Sequence, residues 1–454
     1  MKTQYDLIVI GAGPSGIAMA SECAQAGMEV LLLDEQLEAG GQIYRGVSRS
    51  RLRAAKIFDE NYWRGAKLVN TLKCEKLTHV AGARIWHALP SGEVWFSVSG
   101  ESTRASAKTL AIAIGARERP VAIPGWTLPG VFTVGAAQVM LKSAAIAVHG
   151  AVLAGSGPLL YLVAAQYIAA GRKVRALLDT TPWRNYPASL RALPGAIGHG
   201  QLYKGLNLLA RIRLAGVAVH NCVSELRIHG DTAVEGIGWK ARGKTHRLPC
   251  DAVLLHEGLV PNVELGLALG CDWSWSSERR AWELTVGENG ETSQPNIYAL
   301  GDCARIVGAD ASEIQGRLAA LHLVRNTTGQ QLSARETSLV HELRKHMRLR
   351  RFLDRLYSPS DRNLLASDPS TVVCRCESVT IGTLAPLMGR ANGNLNFVKS
   401  FTRCGMGPCQ GRMCSHSVAA LGREGQLPLS APPRQRLPLS PITIGELAAV
   451  KDDE

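Results

Sequence analysis

The 454-residue sequence has no apolar run reaching the roughly 18 residues that a membrane-spanning helix needs. The nearest approach, Val139 to Ala154, is interrupted by Lys142, His149 and Gly150. The chain does not open with the basic, apolar and small-residue succession of an export signal; a strand is already under way at Tyr5. Together these absences predict a cytoplasmic protein with no transmembrane segment. Aromatic residues make up only 5% of the chain, too few to stack bases, and no nucleic-acid-binding module is recognisable. No nucleic-acid partner is expected. There is also no Ser-His-Asp constellation and no histidine metal box. Acidic residues are comparatively scarce, 38 against 51 Lys and Arg, and the net charge of +13 suggests an anionic partner. The densest basic cluster is Arg344, Lys345, Arg348, Arg350, Arg351 and Arg355. It reads either as a solvated helix face or as a docking surface for an acidic partner subunit.

What is present is a repeated supersecondary grammar. Leu7 to Ile10 is a continuous apolar run, the mark of a strand buried on both faces. Gly11-Ala12-Gly13-Pro14-Ser15-Gly16 follows, then a small-residue helix from Ile17 to Ala26 that stops at Gly27. Val30 to Leu33 is the next strand, closed by Asp34-Glu35. The pattern recurs as Val152 to Ala154, Gly155-Ser156-Gly157-Pro158-Leu159-Leu160, a helix to about Ala170, and a strand from Val174 ending at Asp179. A further short strand, Ile297 to Leu300, precedes Gly301-Asp302, and a helix is predicted from about Ser312 to Asn326.

A Gly-x-Gly-x-x-Gly turn between a buried strand and a helix is a cradle for a pyrophosphate. Gly11 permits the tight turn, Gly13 lets the backbone approach the phosphates, and Gly16 lets helix and strand pack closely. Pro14 and Ser15 open the helix, whose free N–H groups and partial positive charge face the ligand. Asp34 or its neighbour Glu35 is placed to hold the adenosine ribose. Gly40-Gly41-Gln42 follows by a short loop, and Gly301-Asp302 lies near the far end of the fold. With Ala111 to Ala116, which includes Gly115, and with Ile123-Pro124-Gly125, these motifs resemble the two-dinucleotide-domain flavoproteins, among them thioredoxin reductase and the disulfide reductases. The resemblance implies bound FAD, with the Asp302 carboxylate on its ribityl chain. The expected fold class is α/β: two Rossmann-like domains of the disulfide-reductase flavoprotein type, plus a small helical 2Fe–2S domain at the C-terminus. The expected FAD domain is discontinuous, 1–125 and 260–330. A nucleotide-binding domain spans 126–259, a helical linker 331–368, the 2Fe–2S domain 369–425 and a loosely packed tail 426–454.

The middle cradle, Gly155, Gly157 and Pro158 with Asp179 as the ribose ligand, reads either as an NAD site or as a retained domain that has lost NAD or binds another nucleotide such as ATP. No arginine cluster follows Asp179 to favour a 2′-phosphate. The redox cysteine pairs of the disulfide reductases are missing from both matching stretches, so dithiol chemistry is not expected. Of eleven cysteines, Cys23, Cys74, Cys222, Cys250, Cys271 and Cys303 are scattered and read as thiols in a reducing compartment. The other five crowd between Cys374 and Cys414. Cys374-Arg375-Cys376, then Cys409 and Cys414, offer two close pairs of thiolates able to bind a 2Fe–2S cluster or zinc, or to remain unmetallated. Cys404 is an alternative ligand to Cys409 or Cys414. The spacing resembles the bacterioferritin-associated ferredoxin module, a small helical 2Fe–2S domain.

Thr402 to Arg412, Asp34-Glu35-Gln36 and Gly40 to Arg45, taken with the C-terminal module, resemble one group: the α-type subunits of heteromeric amine and imino-acid dehydrogenases. That group includes opine oxidases, D-hydroxyproline dehydrogenase, archaeal-type proline dehydrogenase and hydrogen cyanide synthase. The resemblance implies a partner subunit with its own FAD, similar to D-amino-acid oxidases, that oxidises the substrate. It also implies a small ferredoxin-like subunit in some members, and FMN at a subunit interface in some. Electrons would pass from the partner through this chain to an acceptor, with Arg375, Arg403 and Arg412 favouring a reduced cluster. The rival expectation is a self-sufficient NAD(P)H-dependent FAD reductase.

Overall fold

Leu7, Ile8, Val9 and Ile10 have no polar side to show to water, so the strand Gln4–Ile10 can lie only inside a covered sheet. The structure is a computed structural model that describes residues 2–49, 56–328, 334–360, 364, 367–424 and 431–450. In it, Gln4–Ile10 pairs in parallel with Val30–Asp34 on one side and Glu101–Ile112 on the other. Leu77–Ala81 adds beyond Val30–Asp34, and Ile297–Ala299 beyond Glu101–Ile112. The long strand Glu101–Ile112 also carries an antiparallel meander with Glu93–Val98 and Arg84–Ala88. Helix Pro14–Gln25 begins with proline at its first turn and is followed by Gly27 at φ 96°, the usual asymmetry of start and stop. Helix Ala309–Thr328 packs on it backbone to backbone: a Cβ on Gly316 would come 2.2 Å from the Ser15 carbonyl oxygen.

The middle unit is a five-stranded parallel sheet in the order Ala218–Asn221, Val174–Asp179, Ala151–Ser156, Val253–Glu257, Val131–Thr133. A three-stranded antiparallel sheet, Ser224–His229, Gly236–Ala241 and Lys244–Pro249, covers part of it. Val121, Ile123 and Trp126 are buried in this unit's core with Val152 and Val253. The middle core therefore begins before the boundary expected at 126. The two units are joined by an antiparallel pair, Ala116–Glu118 with Leu259–Pro261.

Helix Ala334–Leu356 carries the basic cluster and buries Leu349 and Phe352 against Ala196. Its charges are partly spent inside the molecule. Arg350 pairs with Asp354, which also binds Arg279 from the turn between strands Trp273–Ser276 and Ala281–Leu284, and Arg355 reaches Glu278 at 3.7 Å. The expected boundaries at 330 and 425 lie outside the described residues.

The cysteine-rich segment forms a ribbon, Val372–Cys374 with Val379–Thr380, followed by helices Ile381–Ala391, Leu395–Thr402 and Ser415–Glu424. Its apolar side is continuous with the first sheet: Val373, Ile381 and Leu384 share one core with Ile8, Leu31, Ile112 and Trp282. The tail expected to be loose packs back onto the meander. Leu439 is buried and its N–H donates to the Trp86 carbonyl at 2.7 Å, Ser440 Oγ donates to the Ile85 carbonyl, and Arg84 pairs with Glu446. The tail's polar and proline-rich composition concealed these edge contacts.

Asp354 is almost fully buried and serves two partly buried arginines, so its removal leaves Arg350 without its carboxylate and Arg279 with Glu283 alone. Asp354→Ala is expected to destabilise the docking of helix Ala334–Leu356 by about 3–5 kcal/mol. Limited proteolysis should then cut this helix in the variant long before the wild type; equal cleavage rates would refute that expectation.

Candidate functional site

The first turn is built by contacts that only glycine permits. A Cβ on Gly11 (φ 106°) would lie 2.5 Å from the Ala113 carbonyl oxygen, and one on Gly16 only 1.9 Å from that of Gly11. Gly13 differs. Its φ of −81° suits any residue, and the nearest protein atom to its Cβ would be 3.9 Å away. Nothing in the protein's own packing demands glycine there, which is what a space reserved for a ligand's approach looks like. Gly41 (φ 60°) closes on Gly13, with its Cβ position 3.0 Å from the Gly13 Cα, and Gly40 N–H donates to the Ala12 carbonyl at 2.8 Å. The two glycine motifs thus come together.

Asp34 is buried and accepts from Ala12 N–H at 2.5 Å and from Gln36 N–H at 2.7 Å. Its carboxylate fixes the shape of the turn from below. Glu35 is exposed, and so is Gln42, whose carbonyl accepts from Lys142 Nζ. Lys142 was legible in the sequence only as an interruption of an apolar run. It is buried and also donates to the Ile43 carbonyl and Gln138 Oε1, both at 2.9 Å, pinning the Gly-Gly-Gln loop; burial pulls its pKa down to about 7.

At the far end, Gly301 (φ 66°) packs against Ser15 and Ser312, and its N–H donates to Gln315 Oε1. Asp302 Oδ1 accepts from the N–H groups of Val307 and Gly308 at 2.7 and 2.8 Å. Its Oδ2 has no partner among the described residues. Gly115 (φ 65°) has open space where a side chain would stand, and its carbonyl accepts from Asn262 N–H at 3.2 Å. An open approach at Gly13 and Gly115, with a half-used carboxylate at Asp302, fits a dinucleotide lying across the ends of the strands.

The middle turn carries a side chain beside its second glycine. Gly155 (φ 141°) sits against the His256 carbonyl, and the His256 ring stands 3.2 Å from the Cβ position of Gly157. That ring is held by Glu118 Oε1 at 2.6 Å from Nδ1. Pro158 begins the helix, as expected. Asp179 is 2% exposed; one oxygen accepts from Thr181 N–H at 2.8 Å and the other from the Tyr161 hydroxyl. The ribose role expected of Asp179, like that expected of Asp34, therefore finds both carboxylate oxygens already engaged inside the protein.

All five clustered cysteines converge. The sulfurs of Cys374, Cys404 and Cys414 lie within 4.8 Å of one another, all buried. Cys404, expected only as a substitute, stands in this inner group because Arg403 adopts φ 61° and turns the chain inward. Cys376 is exposed and hydrogen-bonds Cys409, which is half-buried. Cys404 and Cys414 both donate to Cys374, which pulls its pKa down to about 2, and the same bond pushes Cys404 up to about 12. Thiols this close cannot all ionise unless a cation neutralises them, so the donor set fits a thiolate-bound metal centre. Among the arginines expected beside it, Arg403 pairs with Glu377 at 2.9 Å, Arg375 lies over the Trp126 ring, and Arg412 donates to the Leu439 carbonyl. Sequence reasoning missed Arg117. Its Nε donates to the Arg412 carbonyl at 3.0 Å, and its other nitrogens bind Asn262 Oδ1 at 2.7 Å and Glu264 Oε1 at 2.6 Å.

The two cradle glycines separate fold from ligand. Gly16→Ala is expected to lower the thermal midpoint of the flavin-free chain, by about 1–3 kcal/mol of overpacking. Gly13→Ala should leave that midpoint unchanged and weaken flavin retention instead. Thermal melts with and without added FAD check both; an unchanged flavin affinity in Gly13→Ala would contradict this assignment.

Residues 5–323 match the family model described as pyridine nucleotide-disulphide oxidoreductase. An opine oxidase subunit of Agrobacterium tumefaciens is 36% identical over 462 residues, covering 98% of this chain and 91% of the relative. "Hydrogen cyanide synthase subunit HcnB" of Pseudomonas aeruginosa is 31% identical over 434 residues, covering 90% of each. Among solved structures, L-proline dehydrogenase from P. horikoshii superposes with a TM-score of 0.69 over 98% of this chain and 79% of that one, at 18% identity, a likeness of fold. With a family model spanning both sheets and relatives matched along nearly its whole length, the chain belongs to the pyridine nucleotide-disulphide oxidoreductase family, as an FAD-dependent oxidoreductase of the group that holds these opine oxidase and hydrogen cyanide synthase subunits.

Proposed function

We propose that this chain is the FAD- and 2Fe–2S-containing electron-transfer subunit of a heteromeric dehydrogenase for amino or imino acids, such as an opine, D-hydroxyproline or a related amine. A partner flavoprotein resembling D-amino-acid oxidases oxidises the substrate, and this chain relays the electrons to an acceptor, in some assemblies through a small ferredoxin-like subunit. The observation that carries the reading is the shared core: the cysteine site is built on the same apolar cluster as the strand ends that hold the Gly-Asp turn. Relatives named as subunits support a heteromeric assembly. A cytoplasmic setting agrees with eleven unpaired cysteines. No described helix is long and apolar enough to cross a membrane.

When bound, FAD supplies two-electron and 2Fe–2S one-electron chemistry. The protein's share is placement. Gly11, Gly13, Pro14, Ser15 and Gly16 would hold the pyrophosphate at the helix start, Gly41 backs the turn at Gly13, Gly115 leaves room along the ligand, and the free oxygen of Asp302 would accept from the ribityl hydroxyls. Asp34 keeps the turn in shape. Cys374 and Cys414 from the buried group, with Cys376 and Cys409 from the outer contact, would form the four thiolate ligands, and Cys404 would donate its S–H to Cys374. An interfacial FMN would belong to the assembly with the partner.

The His256 ring beside Gly157, where the first turn has open space at Gly13, supports a partner-fed relay over a nicotinamide-fed reductase. NADH or NADPH added anaerobically to the chain should leave its flavin absorbance unbleached, while the partner subunit with its amine substrate should bleach it. Bleaching by either nucleotide alone would overturn the relay and favour the reductase. For the ligand set, Cys374→Ala or Cys414→Ala should lose the iron, whereas Cys404→Ala should keep about two irons per chain with an altered electron paramagnetic resonance signal. Loss of iron in Cys404→Ala would reassign the fourth ligand.

A further inference from the structure

Beside the cysteine site lies an open groove of about 520 Å³, lined by Asn396, Lys399, Gly405, Met406, Arg434 and Arg436. Its floor is the cysteine loop itself: a Cβ on Gly405 would be 3.8 Å from Cys414 Sγ. Two features set this groove apart from ordinary surface. The first is its charge. Residues 369–450 contain eight Lys and Arg against three Glu. Of the described acidic side chains there, Glu377 is committed to Arg403 and Glu446 to Arg84. Arg434 and Arg436 are exposed and pair with no carboxylate among the described residues, and nearby Arg436 lowers the pKa of Lys399, after burial. The second is its apolar content. Met406 is 48% exposed within the groove, and Phe401 and Leu437 beside it are 66% and 45% exposed. An apolar centre inside an unneutralised basic rim is the composition of a protein-docking patch rather than of a solvated surface.

We infer that this groove is the electron exit of the chain, a docking surface for a small acidic electron-carrier protein that seats over Met406 and is oriented by Lys399, Arg434 and Arg436. The inference rests on the relay reading and adds to it the chemistry and the place of the acceptor. Charge complementarity selects the occupant: unpaired cations facing solvent attract a negatively charged surface, speed its encounter and fix its orientation. The exposed apolar groups extend past the groove walls, more surface than a small anion could cover. The position above the cysteine loop brings the carrier's own redox centre to the thin side of the site, where the wall is the glycine backbone.

The test uses the full chain with its FAD and iron content measured, and an acidic plant-type 2Fe–2S ferredoxin as the probe. Binding of the oxidised ferredoxin, measured by calorimetry at several salt concentrations, should weaken steeply with salt in the wild type. The double variant Arg434→Glu with Arg436→Glu should bind at least ten times more weakly and with a flattened salt dependence. Met406→Ser should bind more weakly with the salt dependence kept. Flavin and iron content should be the same in all three. Equal binding by wild type and the double variant would overturn the docking surface. So would ferricyanide protecting the groove as well as ferredoxin does, since that result marks a small-anion site. An iron-free wild-type chain would instead contradict the relay reading, and the iron analysis of the same samples shows which of the two has failed.

Discussion

The guanidinium of Arg117 is held on three sides: by both carboxylate oxygens of Glu264, by Asn262, and by the Arg412 carbonyl of the cysteine loop. Arg117 sits in the strand that crosses from the first domain to the second, and Asn262 also binds the carbonyls of Ile114 and Gly115. One partly buried cation therefore fixes the spacing between the end of the first sheet, the interdomain crossover and the cysteine site. The arrangement leaves little choice about geometry, because Glu264 is nearly buried and would be an unpaired charge if Arg117 moved away. Next to it, Arg119 is fully enclosed and bonded to carbonyls of Glu257, Arg279 and Arg280, so the crossover is rigid rather than a hinge. The proposed relay would need two centres held at a fixed distance, and this crossover links the two sites without an extra domain interface.

The two dinucleotide units started from the same sequence grammar and have diverged at their mouths. In the first, the Asp34 carboxylate is satisfied by backbone N–H groups below the turn, so the upper side stays open at Gly13. In the second, the equivalent aspartate takes a side-chain hydroxyl from Tyr161, and a ring from the neighbouring strand, His256, stands over the glycine. Glu257 beside it is buried, and desolvation lifts its pKa to about 8. The middle sheet carries the crossover strand pair and the first helices of its unit.

Most of the fold was legible because its signals are local. Buried strands, glycine turns and the acid at the strand end occupy a few dozen consecutive residues, and the Gly301-Asp302 turn announces itself by composition. The parts that were not legible depend on residues far apart in sequence. His256 stands beside a turn about a hundred residues earlier, Lys142 pins a loop from a helix far along the chain, and Arg117 reaches the cysteine loop across nearly 300 positions. Cys404 entered the buried thiol group through a left-handed Arg403, a backbone choice that spacing alone does not reveal. The tail was misjudged for a similar reason: its partners are the exposed edge of the meander, not its own neighbours.

The proposed relay requires flavin and an iron–sulfur centre to coexist in one polypeptide. The most direct measurement is iron, acid-labile sulfide and FAD analysis of the anaerobically purified chain, with electron paramagnetic resonance of the same sample after reduction. One FAD, about two irons and two sulfides per chain and a reduced 2Fe–2S signal are expected. A single zinc with no sulfide, or five free thiols titrating without metal, would contradict it.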